Sequence, residues 1–422
     1  MRDWASKELR ELVSFQKGRK VETSLFKLDG YSRYLGAGSL AGKHDGYAST
    51  NFSIQATHND VLMLWDGERS GLVGHNLTGV VSSTVTKLTP STKINSSYLY
   101  YFLLKKFEWI QNRRTGTGVP HVPKDIGRIL IVSYPKSELY QQKIAHILQT
   151  VDETIDKTEA LIKKYQQIKA GLMHDLFTRG IGTDGKLRPS KEEAPELYKK
   201  TPIGWIPKVW DIDVLGNLLA QLPNNLRSGP FGSALLKSEL VEEGIPFLGI
   251  DNIHVERFVP RYRRHVSEEK FQELIKYAVR PKDVVITIMG TVGRCAIVPD
   301  DIDRALSSKH LWTMSLDHGM VIPELICWQL NHASGVKELF RRETQGGIMD
   351  AIQSKTLKTL RLPLPSLKEQ QIIFERYKTI TSKIDTETEN LKKLLKMKNG
   401  LMHDLLTGEV PVKIDEMQVQ HV

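Results

Sequence analysis

Two cysteines, Cys295 and Cys327, are all that this 422-residue chain contains, so no disulfide framework can hold it together. Both sit in apolar surroundings, GRCAIV and LICWQL, which suits small core fillers rather than nucleophiles. Long hydrophobic runs are missing as well, and no stretch of about 18 apolar residues offers itself to a bilayer. The polar opening MRDWASKELR lacks the apolar centre of a secretory signal. Together these absences lead us to expect a protein of the reducing cytoplasm with no membrane partner.

Catalytic and metal-binding signatures are missing too. A phosphate-binding loop needs G-x-x-x-x-G-K-[ST]; the nearest stretch, around Gly42-Lys43, has Ala37 where the first glycine belongs and His44 where the hydroxyl belongs. There is no H-E-x-x-H, no paired C-x-x-C and no EF-hand spacing. There is also no N-P-P-[FY] or D-P-P-[FY] loop of the kind with which amino-methyltransferases grip a flipped base. The recurring His174-Asp175 and His403-Asp404 fall at predicted helix ends, where an imidazole can meet terminal carbonyls, and read as structural. The chain is therefore expected to carry no catalytic residue, metal ligand or cofactor of its own.

Basic charge is what the sequence has in excess. Lys+Arg number 59 against 49 Asp+Glu, a formal net charge of +10, which favours a polyanionic partner through Coulomb attraction and counterion release. The length, about three times the modal domain, calls for at least two domains.

The chain is written twice. QQKIAHILQTVDETIDKTEALIKKYQQIKAGLMHDL, from Gln141, aligns without a gap with QQIIFERYKTITSKIDTETENLKKLLKMKNGLMHDL, from Gln370, and about 15 of 36 positions are identical. Ile144, Leu148, Val151, Ile155, Thr158, Ile162, Tyr165, Lys169, Leu172 and Leu176 recur in steps of four and three, the spacing of a coiled-coil seam. The same register in the second copy falls on Ile373, Tyr377, Ile380, Ile384, Glu387, Leu391, Leu394, Lys398, Leu401 and Leu405. Two such stripes can bury each other, and each helix would run about 50 Å. The segments ahead of the helices echo each other more weakly. Trp4, Leu9 and Leu12 are matched by Trp210, Leu215 and Leu218; Asp60-Val61 before Gly67 by Asp283-Val284 before Gly290; Arg113-Arg114 before Gly118 by Arg341-Arg342 before Gly346.

β-branched runs such as VVSSTVTKL and DVVITI alternate with helical stretches such as SSYLYYFLLKKFEWIQ, so the globular parts are α+β. The expected organisation is a first recognition domain over residues 1–138, a spacer helix over 139–180 and a linker over 181–204. A second recognition domain over 205–366, a second spacer helix over 367–408 and a frayed tail over 409–422 complete it. The linker, rich in Gly, Pro and mixed charge, reads as a surface connection. Antiparallel pairing of the helices would give a pseudo-twofold repeat.

Candidates for DNA contact are basic residues near glycine-rich turns. In the first half these are Lys17, Arg19 and Lys20, then Lys43 and His44, Arg69, and Arg113 with Arg114. In the second half they are Arg227, Arg261, Arg263 and Arg264, Arg294, Lys309 with His310, and Arg341 with Arg342. Arginine and lysine serve phosphates and guanine edges.

The run K-E-Q-Q-I-I at Lys368 to Ile373, its echo Y-Q-Q-K-I, the heptad helices, G-L-M-H-D-L-[LF]-T at Gly171 and Gly400, and the linker GKLRPS…TPIGWIPKVW resemble the specificity subunits of type I restriction-modification enzymes. A departure is Tyr140 where the second copy has Glu369, which weakens the first E-Q-Q signature without breaking the repeat. The resemblance implies a non-catalytic chain that directs partners to a bipartite, asymmetric sequence in double-stranded DNA, each domain reading one half-site. It also implies two modification subunits that methylate adenine with S-adenosylmethionine, and restriction subunits that use ATP and Mg. Half-sites one turn apart are about 34 to 36 Å from each other, so helix length would dictate the unread gap. The alternatives are a catalytic DNA-modifying protein with divergent motifs, or a basic protein-binding scaffold.

Overall fold

The computed structural model describes residues 3–116, 118–343 and 352–413. It divides into two compact units, Met1–Lys163 with Thr386–Val422, and Lys164–Asp385. Each unit therefore combines one globular α+β part with a piece of each long helix, and the units cut across the linear order read from the sequence.

In the first unit a four-stranded antiparallel sheet runs in the order Val13–Lys17, Val85–Pro90, Val61–Leu64, Val73–His75. Val61, Leu62, Met63 and Leu64 are all buried because the sheet is covered on both faces, which replaces the alternation of a half-exposed strand with a continuous apolar run. Val61 and Met63 join a core with the helix Ser96–Lys105. Leu62 and Leu64 meet a second sheet through Leu35 and Val81, which lie side by side in parallel strands. The helix Ser96–Lys105 begins where it does because the Asn95 side chain accepts hydrogen bonds from the N–H groups of Ser97 and Tyr98.

The second unit repeats this plan. Its sheet runs Leu226–Ser228, Leu311–Met314, Val284–Thr287, Cys295–Ile297. Val284 and Ile286 face one core and Val285 the other, and Phe247-Leu248 pair in parallel with Leu306-Ser307. The echo of Asp60 and Asp283 has a structural cause. Asp60 accepts from the Thr57 N–H at 2.8 Å and the Thr89 hydroxyl at 2.5 Å; Asp283 accepts from the Arg280 N–H at 2.7 Å and the Ser315 hydroxyl at 2.6 Å. Each carboxylate locks the turn that enters the central strand. Cys295 and Cys327 are buried and free, as expected, and burial pushes the Cys295 thiol up.

The tryptophan echo is also explained. Trp4–Glu8 pairs with Ile131–Pro135 and Asp211–Val214 with Arg361–Leu364, the strands that feed the long helices Glu138–Thr178 and Leu367–Thr407. Every seam residue named above is buried or half-buried in both helices, whereas the positions between them are largely exposed. In the first unit the beginning of one long helix shares a core with the end of the other, Ile144 and Leu148 with Met402 and Leu405. In the second unit the ends are reversed, Met173 and Leu176 with Ile373. Within each unit the two helix segments are therefore antiparallel. Both lysines of the seam are partnered: Lys398 binds Asp152 at 2.6 Å, and Lys169 binds Glu256 at 2.5 Å.

Most of the linker, residues 181–204, is exposed or half-buried, as expected of a surface connection. The linker's Ile181, Ala194 and Tyr198 are buried, and its strand Tyr198–Thr201 forms a hairpin with Gly204–Pro207. Its apolar residues are single anchors along a loop, so they show no period to read. In the tail, residues 414–422 lie outside the described residues.

Candidate nucleic-acid interface

The fully buried glutamines of the repeated Q-Q pair fix each recognition domain to its helix. Gln141 accepts from the Asn95 N–H at 2.7 Å and donates to the carbonyls of Lys93 and Pro135. Gln370 accepts from the Ile322 N–H at 3.0 Å and donates to those of Met320 and Pro365. The residue before each glutamine holds the chain that follows the opposite helix. Glu369 forms a two-pronged ion pair with Arg188 at 2.6 and 3.0 Å and accepts from the Ile181 N–H. Tyr140 donates to the Val412 carbonyl at 2.5 Å. The departure in sequence thus preserves the fastening. Each long helix ends beside a glycine at positive φ, Gly180 and Gly408, where a Cβ would meet the ring of Trp210 or Trp4.

On this frame, one end of each four-stranded sheet carries the basic loops. A Cβ on Gly18 would lie 2.1 Å from the Ser82 carbonyl oxygen, and one on Gly229 would lie 2.0 Å from that of Ser307; only glycine lets these strands turn so closely over their neighbours. Around Gly18, Lys17 binds Asp66 at 2.8 Å, and Asp66 also receives His121 at 2.7 Å. The Gly67 N–H bonds the Pro120 carbonyl, and Arg114 donates to the Glu68 and Gln111 carbonyls. Lys17, Arg19, Arg69, Arg113 and Arg114 are thereby gathered on neighbouring loops, with Lys20 following in the chain. Arg113 is exposed and stacks 4.0 Å over the Trp109 ring. Lys43 and His44 occupy a separate exposed loop, closed by Asp45 accepting from the Gly36 and Ser39 N–H groups.

The matching end of the second sheet gathers fewer of its candidates. The Ser228 hydroxyl bonds the Lys309 carbonyl, the Ile288 N–H bonds that of His310, and the Thr287 N–H bonds that of Arg294. Partial burial, with repulsion from Lys309 and Arg264, lowers the His310 pKa, so two cations lie near a largely neutral imidazole there. Arg264 is ion-paired with Asp251; Arg261 and Arg263 are exposed beside it in the chain. Arg341 and Arg342 lie on the helix Ser334–Glu343 rather than on a loop. Both pair with Glu338 at 2.8 Å and hold its carboxyl down to about 2. Gly346, their expected companion, lies outside the described residues.

Arg227 must be withdrawn from the contact set. Its side chain is 3% exposed and forms an ion pair with Asp283, itself 1% exposed. The remaining guanidinium hydrogens go to the Ala278 and Asn224 carbonyls and the Ser315 hydroxyl. The glycine-rich context NNLRSGPFGS suggested a loop, but Leu226–Ser228 is a strand with Arg227 facing inward.

A cleft of about 630 Å³ beside Lys17 was not foreseen. Arg10, Phe15, Trp65, Lys124 and Arg128 line it from segments far apart in sequence, and no local motif marks them. Among the described residues His403, Asp404 and Glu409 bring potential metal-ligating atoms within 4.8 Å. They lie at an exposed helix end, where His403 already meets Glu409 at 3.4 Å. No helix among the described residues is long and apolar enough to cross a membrane.

Two domains of one plan, each mounted on a long helix and each presenting basic loops at one sheet end, define a duplicated recognition protein. Residues 1–169 and 232–397 both match the family described as the type I restriction modification DNA specificity domain, and the chain belongs to that family. It is 28% identical over 426 residues to the type I restriction enzyme MjaVIII specificity subunit of Methanocaldococcus jannaschii, covering 97% of this chain and 94% of that one. It is 22% identical to the EcoBI specificity subunit of Escherichia coli, covering 86% and 76%. The fold is shared with the crystal structure of a type I S subunit from M. genitalium, with a TM-score of 0.62 at 16% identity over 95% of this chain and 96% of that one. The chain is thus a DNA sequence-recognition subunit, a non-catalytic component of its system.

Proposed function

We propose that each recognition domain reads one half of a bipartite, asymmetric site in double-stranded DNA, placing the glycine-turned end of its four-stranded sheet against the duplex. The observation that carries this reading is the paired close approach at Gly18 and Gly229, with cationic groups on the neighbouring loops of both domains. Lys17, Arg19, Lys20, Arg69, Arg113 and Arg114 serve the first half-site; Arg264, Arg294, Lys309 and His310 serve the second. Lys43, His44, Arg261, Arg263, Arg341 and Arg342 extend these surfaces toward phosphates. Two modification subunits, using S-adenosylmethionine to methylate adenine, and restriction subunits, using ATP and Mg, act where this chain directs them in the cytoplasm. On this reading those three groups belong to the partner subunits, and this chain's own residues supply recognition and attachment.

The test is selection from a randomised duplex library by the full chain co-purified with its modification subunits. The expected result is a two-part sequence with an unread gap of fixed length. Recovery of one contiguous sequence, or of none, would overturn the reading. Methyl transfer or cleavage by the chain alone, supplied with S-adenosylmethionine, ATP and Mg, would favour a catalytic protein instead.

A further inference from the structure

The turn Thr50–Ser53 of the first domain places a phenylalanine where the backbone asks for glycine. Phe52 has φ +55, and the turn is closed by the Ser53 N–H and hydroxyl, both bonding the Thr50 carbonyl. Left-handed backbone is costly for any residue with a Cβ and rare for a bulky one. A side chain held there is ordinarily compensated by burial, yet Phe52 is 91% exposed. The free protein thus bears the backbone cost and gains nothing from the ring.

The surroundings point to what would cover it. Arg19 donates from Nη1 to the Phe52 carbonyl at 3.5 Å. Arg19 follows Gly18 and Lys17, which begin the basic sheet end described above, and Lys20 beside it is exposed. An exposed aromatic ring on a turn held by an exposed arginine matches how proteins engage DNA: cations meet phosphates while an apolar side chain contacts a thymine methyl or wedges against a base step.

We propose that Phe52 is a specificity-determining residue whose ring packs directly against bases of the half-site read by the first domain. The inference rests on the DNA-reading role proposed above and adds an apolar base contact to its ionic ones. The left-handed turn presents the ring outward, and its conformational cost is recovered only in the DNA complex.

Phe52→Gly separates the two roles, because glycine adopts φ +55 without strain. With the full chain bound to its modification subunits, binding is measured to the duplex selected by the wild-type complex, and to duplexes mutated in either half-site. Phe52→Gly should keep or raise Tm while weakening binding to the selected duplex about five- to 100-fold, the range of an aromatic contact with a base. Discrimination should relax only in the half-site of the first domain. Phe52→Asn, which also tolerates this backbone, should behave alike, and Phe52→Tyr should restore binding. Wild-type affinity and discrimination in Phe52→Gly overturn the proposal while leaving the sequence-selective binding of the wild-type complex intact. A parallel fall of Tm and affinity also overturns it, since the ring would then be structural.

Discussion

Replacing Arg227 with alanine distinguishes a DNA contact from a structural ion pair. The substitution leaves the Asp283 carboxylate 1% exposed without its cation. It also strips a donor from the Ala278 and Asn224 carbonyls. Breaking a buried ion pair by removing one member costs about 3–5 kcal/mol. For a cooperative unit of this size each kcal/mol moves Tm by about 2–4 °C, so the transition of the second unit should fall by about 6–20 °C. Calorimetry of the full chain measures this directly, and DNA binding assayed well below the lowered transition should stay near wild type. Arg227→Lys, which keeps a cation beside Asp283 and leaves that carboxylate's bonds to Arg280 and Ser315 in place, should recover part of the loss. An unchanged Tm with lost binding to the selected duplex would refute this reasoning, because Arg227 would then have to reach the DNA.

Gln141→Leu and Gln370→Leu should each cost about 2–4 kcal/mol by leaving a buried N–H and two carbonyls unpaired, and the two losses of thermal stability should be similar. Burial works to raise the Glu256 pKa, but bonds from His332, Lys169 and Tyr377 outweigh it and hold the carboxyl at about 2, below its ordinary 4.5. A depressed carboxyl stabilises the fold fully above its unfolded value, so the advantage of wild type over Glu256→Gln should be complete above pH 4.5 and vanish as pH falls toward 2 in urea titrations. Deleting one heptad from both long helices removes about 10 Å of rise from each. It should shorten the unread gap in the selected sequence; an unaltered gap would count against helix length as its determinant.

The repeated helices were legible because a coiled-coil seam imposes a strict spacing over many turns, and all twenty seam residues named from the sequence are buried or half-buried. The doubly covered central strands were legible for a similar reason, since continuous apolar runs after Asp60 and Asp283 have few other uses. The linker's surface course was legible, but its buried anchors Ile181, Ala194 and Tyr198 were not, because they enter the core one at a time and leave no period. Arg227 was misread because glycine and proline on its flank obscure a three-residue strand that turns the guanidinium inward. The exchange of Glu369 for Tyr140 looked like a weakened signature and is a change of hydrogen-bonding group at a conserved geometric task. Phe52 passed unnoticed because a left-handed turn at phenylalanine has no sequence signal.

Mapping methylated bases across the genome of cells with and without this chain tests the central claim most directly. The account predicts one two-part sequence with a fixed gap, methylated only when the chain is present and losing discrimination in a single half when the basic loop of one domain is altered at Arg19 and Lys20. Methylation that persists without the chain, or that marks one contiguous sequence, would contradict it.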